Sequence, residues 1–99
     1  MYLILSLKHT NKEDESITLW RSNNQGYTYY LEASGQYEQV INDYHNSEGN
    51  LPINQTILNK LDKIQSLNDY GEPVTFIHNS KKNHSILKLK FVKGKLCKK

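Results

Sequence analysis

Asn54-Gln55-Thr56-Ile57-Leu58-Asn59-Lys60-Leu61-Asp62-Lys63-Ile64-Gln65-Ser66-Leu67 is the stretch on which the fold class turns. Ile57, Leu58, Leu61, Ile64 and Leu67 recur at helical spacing, which puts them on one apolar face. Asn54 is a good N-cap, and Ile53 can staple onto Leu58. Pro52 marks where the chain is not yet helical, while Gly71 and Pro73 stop the element and turn the chain. The outward residues Gln55, Asn59, Lys60, Asp62 and Lys63 read as solvated surface. The spacing therefore predicts a helix over 54–67.

Working back from it, Tyr37, Val40, Ile41 and Tyr44 stand at i, i+3, i+4 and i+7, which predicts a first helix after Gly35. Asn46 to Asn50 ends it. Further upstream the period is two. Leu3, Leu5 and Leu7 alternate with Tyr2, Ile4 and Ser6, so Met1 to His9 reads as a strand. Thr10 to Glu15 is a charged turn with nothing to bury. Ile17 to Trp20 is a second strand, antiparallel to the first across that turn. Ser22 to Gly26 has turn chemistry, with Asn and Gly able to take φ > 0. Tyr27 to Leu31 reads as a short third strand.

Downstream, Val74 to His78 and Ile86 to Val92 read as the arms of a hairpin joined by the polar loop Asn79 to Ser85. In the second arm Leu87, Leu89 and Phe91 face the core, and Lys88 and Lys90 face solvent. The expected architecture is a single α+β domain over 1–99, order β-β-(β)-α-α-β-β. Its antiparallel sheet of 4–5 strands carries two helices packed on one face, and residues 93–99 form a basic C-terminal tail.

The chain has 99 residues, 36% hydrophobic and 23% charged, with seven Tyr, two Phe and one Trp. That is polar for a globular domain but too aromatic for a disordered one. The net charge of +3 hides an asymmetry: residues 1–79 sum to −5, and residues 80–99 carry eight Lys and no acid. Such a basic end suits an anionic partner, with Lys81, Lys82, Lys88 and Lys90 as the contacting groups. Equally, exposed Lys protects a sheet edge from aggregation. Asn, Lys, Ile and Tyr supply 38 residues, a bias toward A/T-rich codons that fits a bacterial or phage genome.

The motif search is mostly negative. The five Gly form no phosphate-cradling pattern. No two of His9, His45, His78 and His84 share a helical i, i+3 or i+4 spacing, and with one Cys no thiolate-rich zinc site is expected. Cys97 sits in the lysine-rich tail with no base beside it. No metal, cofactor or catalytic constellation is expected, so an enzyme ranks below a binding protein. No apolar run approaches a membrane span and no secretory pattern opens the chain, which predicts a cytoplasmic protein without a membrane partner.

Informative residues concentrate in Leu19-Trp20-Arg21-Ser22-Asn23-Asn24-Gln25-Gly26-Tyr27-Thr28 and, further on, Ser34-Gly35-Gln36-Tyr37. An indole, the chain's only guanidinium, two amides and several phenols surround one turn. Arg forks onto phosphate or carboxylate and stacks on aromatic faces, and Tyr offers a flat face with a hydroxyl. Trp20, Arg21, Asn23, Asn24, Tyr27, Tyr37, Tyr44 and His45 are accordingly the candidate ligand- or partner-binding residues. The same set also reads as a core Trp with an Arg laid across it.

The residues Ser6, Leu7, His9, Leu19, Trp20, Arg21, Asn23, Gly26, Tyr27, Thr28, Leu31, Gly35, Tyr37, Tyr44, Asn46 and Pro52 carry a resemblance. The pattern W-R-x-N-x-x-G-Y-T followed by G-x-Y is similar to that of small accessory proteins of tailed phages and prophages. Ser22 replaces the Pro of that pattern and Ser34 its Ala. The resemblance spans the first half of the chain, leaves out the basic hairpin, and implies a phage accessory protein, a class in which some members counter host defence. It would act in the host bacterial cytoplasm, by inhibiting a defence protein or sequestering a small anionic nucleotide signal. The alternative is a nucleic-acid-binding accessory protein using the lysine-rich hairpin. A homo-oligomer is left open.

Overall fold

The computed structural model describes residues 1–41 and 44–99. The chain is α+β, in the order β1 (Tyr2–Ser6), β2 (Thr18–Trp20), β3 (Tyr27–Thr28), β4 (Asn50–Asn54), α1 (Gln55–Lys60), β5 (Lys63–Leu67), β6 (Pro73–Ile77), α2 (Lys81–Leu87), β7 (Leu89–Val92) and β8 (Lys95–Lys98). The first four strands form an antiparallel sheet in the order β3-β2-β1-β4, and β5-β6 and β7-β8 are two-stranded ribbons.

The alternation in the first strand does what period two requires. Leu3, Leu5 and Leu7 point to one side of the sheet and join Leu19 and Ile53 in the main core. Leu58 from α1, Ile77 from β6, Leu87 from α2, Leu89 from β7 and Leu96 from β8, with Ile17 and Leu61 beside the strands, complete that core. All three sheets thus bury apolar surface in one place, each large side chain contributing about 1.5–3 kcal/mol.

The loop after β1 is the hub that joins them. Thr10 is fully buried, against the expectation of a turn with nothing to bury. Its hydroxyl donates to Ser6 O (2.8 Å) and accepts from the Thr18 N–H (3.0 Å). Leu96 N–H donates to Thr10 O, tying β8 to the loop, and Ile17 N–H donates to Ile77 O, tying on β6. Asn79 Nδ2 donates to the carbonyls of Asn11 (3.1 Å) and Asp14 (2.8 Å).

Four elements differ from the sequence expectation. The helix predicted over 54–67 is capped as expected, Asn54 accepting from the Ile57 N–H at 2.9 Å, but ends at Lys60. Leu61 leaves helical geometry, and Lys63–Leu67 pair antiparallel with Pro73–Ile77. The cause lies 21 residues away. The buried Asn83 amide accepts from the Asp62 N–H (2.8 Å) and donates to Asp62 O (2.9 Å) and His78 O (2.7 Å). Asp62 therefore has no backbone groups left for a helix. Leu67, 66% exposed, belongs to no apolar face at all.

The helix expected over 37–44 does not form in its described part; positions 42 and 43 lie outside the described residues. Tyr37 instead exchanges two backbone hydrogen bonds with Tyr2 (2.7 and 2.8 Å), which makes it extended chain beside β1. The loop expected at Asn79–Ser85 is mostly helix α2, with Ser80 as N-cap accepting from the Asn83 N–H. The predicted hairpin is re-paired: the arm at 73–77 takes β5 as its partner, and β7 takes β8. Residues 95–98 are consequently a strand and not a tail. Lys93 (φ 53°) and Gly94 (φ 81°) make the two-residue turn, both in the left-handed region that matches strand twist in a hairpin.

Candidate functional site

The opposite face of the four-stranded sheet carries the candidate residues. Trp20, at the end of β2, faces Tyr27 of β3. The chain between them turns with Asn23 (φ 57°), Asn24 (φ 57°) and Gly26 (φ 99°) in the left-handed region, as the Asn and Gly content predicts. Gly35 closes the turn from outside. Its N–H donates to Trp20 O (2.9 Å), and a Cβ there would meet the Ser22 backbone at 2.5 Å, so no side chain fits. Past this contact the chain reaches Tyr37, whose hydroxyl donates to Arg21 O and accepts from the Asn24 N–H (3.1 Å).

Trp20 is only 5% exposed. Its Nε1–H donates to Asn50 Oδ1 (3.1 Å), and Asn50 Nδ2 donates to Tyr44 O (2.8 Å). Tyr27, Tyr44 and His45 meet the indole near right angles, with centroids 5.9, 5.3 and 5.3 Å away. Edge-to-face pairs of this kind add about 0.5–1.5 kcal/mol each beyond burial. The buried His45 ring has its tautomer set by its partners. Nδ1 accepts from the Ile41 N–H (3.0 Å), so the proton sits on Nε2, which donates to Asn24 Oδ1 (3.0 Å). Burial lowers the His45 pKa below the ordinary 6.5 and keeps the ring neutral.

Seven of the eight candidates thus join one network of hydrogen bonds and rings, divided by exposure. Trp20 and His45 are buried and brace the surface. Arg21, Asn24, Tyr27 and Tyr44 are exposed, and Tyr37 is half-buried. Asn23, the eighth, is exposed and contributes its turn conformation.

Two clefts of about 400 Å³ flank the turn. One runs past Asn23, Asn24, Tyr37 and Ile41 and includes the acidic Glu38. The other is lined by His9, Arg21, Tyr27, Thr28, Tyr29 and Tyr30, together with Thr18, and contains no carboxylate. There, Arg21 Nε–H donates to Tyr27 O (3.2 Å), which anchors the side chain. The one ion pair among the described residues is Lys82–Asp62, so among those residues no carboxylate pairs with Arg21. His9 stacks against Tyr27 with centroids 4.2 Å apart, and its Nδ1 is 2.8 Å from Ser6 Oγ. Burial, then the charges of Lys8 and Lys95, lower its pKa. Those two ammonium groups add positive potential beside the cleft.

Neither Tyr29 nor Tyr30 is marked by the sequence as a binding residue, and His9 enters there as one of the residues carrying the resemblance and not as a binding candidate. The Tyr27-Thr28-Tyr29-Tyr30 run was a visible signal for the two tyrosines. His9 comes from the turn after β1, and no local spacing places it at the cleft.

The lysine stripe does not form as the alternation predicted. Lys88 is the left-handed cap of α2 (φ 57°), outside the strand. Lys81 and Lys82 lie in the first turn of α2, and Lys82 pairs with Asp62 at 3.0 Å. Of the four, Lys90 alone lies on β7. Among the described residues no helix is long and apolar enough to cross a membrane, and no group of three His, Cys, Asp or Glu is placed to hold a metal ion.

No protein-family model matches the chain, and neither a curated protein nor a solved structure does.

Proposed function

We propose that the chain is a small, non-enzymatic, phage-type accessory protein that counters host defence in the bacterial cytoplasm by sequestering an anionic nucleotide. The observation that carries this reading is the cleft in which an exposed Arg21, without a carboxylate partner among the described residues, meets three tyrosines and no acid. A guanidinium forks onto phosphate oxygens, and tyrosine faces stack on a base. A volume of about 400 Å³ is within the range of small-molecule sites. Lys8 and Lys95 would draw an anion toward the cleft, while Trp20 and His45 hold its wall rigid. The dispersed lysines favour this cleft over a phosphate-tracking strand.

The test is calorimetric titration of wild type and Arg21→Ala with mono-, di- and cyclic nucleotides. One nucleotide class should bind, and Arg21→Ala should lose ~10–150-fold in affinity, the value of ~1.5–3 kcal/mol for a charge-assisted contact. Because Arg21 is exposed, the melting temperature should not move. Absence of binding to every nucleotide at millimolar concentration would overturn the reading. So would micromolar, salt-sensitive binding to generic DNA, which would favour nucleic acid as the ligand.

A further inference from the structure

The backbone of a sheet edge is a template for another strand unless something closes it. The edges at β4 and β6 are guarded. Tyr2 exchanges its backbone bonds with Tyr37, so the opposed Asn54 and the equivalent Pro52 turn their backbone groups away from β1. Pro52 has no N–H to offer there. On β6 the outward positions are Pro73, Thr75 and Ile77. Pro73 again lacks a donor, Glu32 accepts from the Thr75 N–H and hydroxyl (both 2.7 Å), and Ile77 O accepts from Ile17.

β5 is different. His78 N–H bonds Asp62 O, and Asn68 N–H bonds Glu72 O, which fixes the parity of the β5–β6 ladder. The even positions Ile64 and Ser66 face β6, so Lys63, Gln65 and Leu67 direct their N–H and C=O outward. Among the described residues none of these three N–H groups has a partner. The Lys63 ammonium, the usual guard of an edge, is folded back onto Leu61 O at 3.2 Å.

We propose that this edge pairs with itself, β5 against β5 of a second copy of the chain, antiparallel and with Gln65 opposite Gln65. The occupant follows from self-complementarity. Two-fold pairing that matches every outward group demands odd positions opposite odd positions. The register centred on Gln65 uses all three, with Lys63 opposite Leu67 twice. In that register the two Lys63 residues are about 14 Å apart, beyond the Debye length of ~8 Å at physiological salt, so like charges do not meet. Each Lys63 stem instead lies along an exposed Leu67. The result is a four-stranded sheet, β6-β5-β5-β6. Only five residues pair on each side, well short of the ~800 Å² per partner of a standard interface, so the association is weak and concentration-dependent.

The experiment combines sedimentation equilibrium with cross-linking on the full chain. Wild type should shift from monomer to dimer between micromolar and millimolar concentration. Gln65→Pro removes one outward N–H without touching the β5–β6 ladder, and should abolish the shift while circular dichroism and the melting temperature stay native-like. In a Cys97→Ser background, Gln65→Cys should oxidise to a disulfide dimer, because the paired Cα atoms lie about 5.5 Å apart, inside the ~4.4–6.8 Å window. Ser66→Cys should not, because its copies are offset to about 8 Å. A wild type that stays monomeric to millimolar concentration, or equal cross-linking at both positions, would overturn the proposal.

Discussion

Replacing Asn83 by Ala should unfold the junction that makes this chain what it is. The Asn83 side chain is completely buried and makes three hydrogen bonds, one from the Asp62 N–H and two to the Asp62 and His78 carbonyls. A net value of ~1 kcal/mol per bond gives about 3 kcal/mol, and stranding buried backbone partners raises the cost of each by up to ~2 kcal/mol more. Asp62 is exposed enough for water to recover part of that, so about 3–4 kcal/mol is expected. For a domain whose whole stability is on the order of 5–15 kcal/mol, this is a large share. The measurement is urea unfolding followed by Trp20 fluorescence, with the buried indole as reporter, for wild type, Asn83→Ala and Asn83→Asp. Asn83→Asp should be at least as damaging, since it loses both donors and turns a carboxylate toward two carbonyls. A loss below about 1 kcal/mol for Asn83→Ala would refute the reasoning, because it would mean that β5 holds its place without the amide.

Lys93→Asn should stabilise the chain by about 0.5–1 kcal/mol, because Asn tolerates the left-handed φ of that hairpin turn and Asn-Gly is its preferred pair; a thermal melt reads it. Acidification should destabilise the fold in two windows. His45, His9 and His84 all have pKa values lowered chiefly by burial, so the unfolded chain takes up protons near 6.5 that the fold does not. Stability is then full above that pH and falls as pH drops below it, by at most ~1.4 kcal/mol per pH unit for each histidine. The second window opens as pH falls through about 4.5, where Glu32 takes up a proton in the unfolded chain but not in the fold: burial raises its pKa, but the bonds from Thr75 outweigh this and hold it low, and the stability is lost as pH falls through that lowered value. Melting temperature against pH checks both, and His45→Phe should flatten the upper window; an unchanged slope would remove His45 from the explanation.

The parts of the fold that were legible are those in which side-chain period and backbone role coincide. Leu3, Leu5 and Leu7 alternate because one face of β1 is core, and Asn23, Asn24 and Gly26 turn because each tolerates positive φ. The helix over 54–67 misled because its apolar spacing joins two unrelated structures. Ile57 and Leu58 belong to a real helix, whereas Ile64 and Leu67 sit on a largely exposed strand with no alternation to reveal it. What divides them is one amide on another helix, and no local window contains both. Similarly, the alternation of Lys88 and Lys90 with leucines holds only if position 88 is extended, and its left-handed cap geometry breaks the series.

For the site, the density of Trp20, Arg21, Asn24, Tyr27 and Tyr37 around one turn was the right signal, but it did not say which of them face solvent. Backbone geometry alone constrains that. Trp20 and Arg21 are consecutive on extended chain, where neighbours point to opposite sides. If one is buried, the other is free to be exposed, so a core Trp20 and a solvent-facing Arg21 belong to the same arrangement. The buried indole fixes the position of the turn through Asn50, Tyr44 and His45, and the exposed guanidinium is presented by that turn to the cleft. A rigid aromatic brace behind a cation that has no carboxylate partner among the described residues is consistent with the proposed capture of an anion, since little ordering would remain when the ligand arrives.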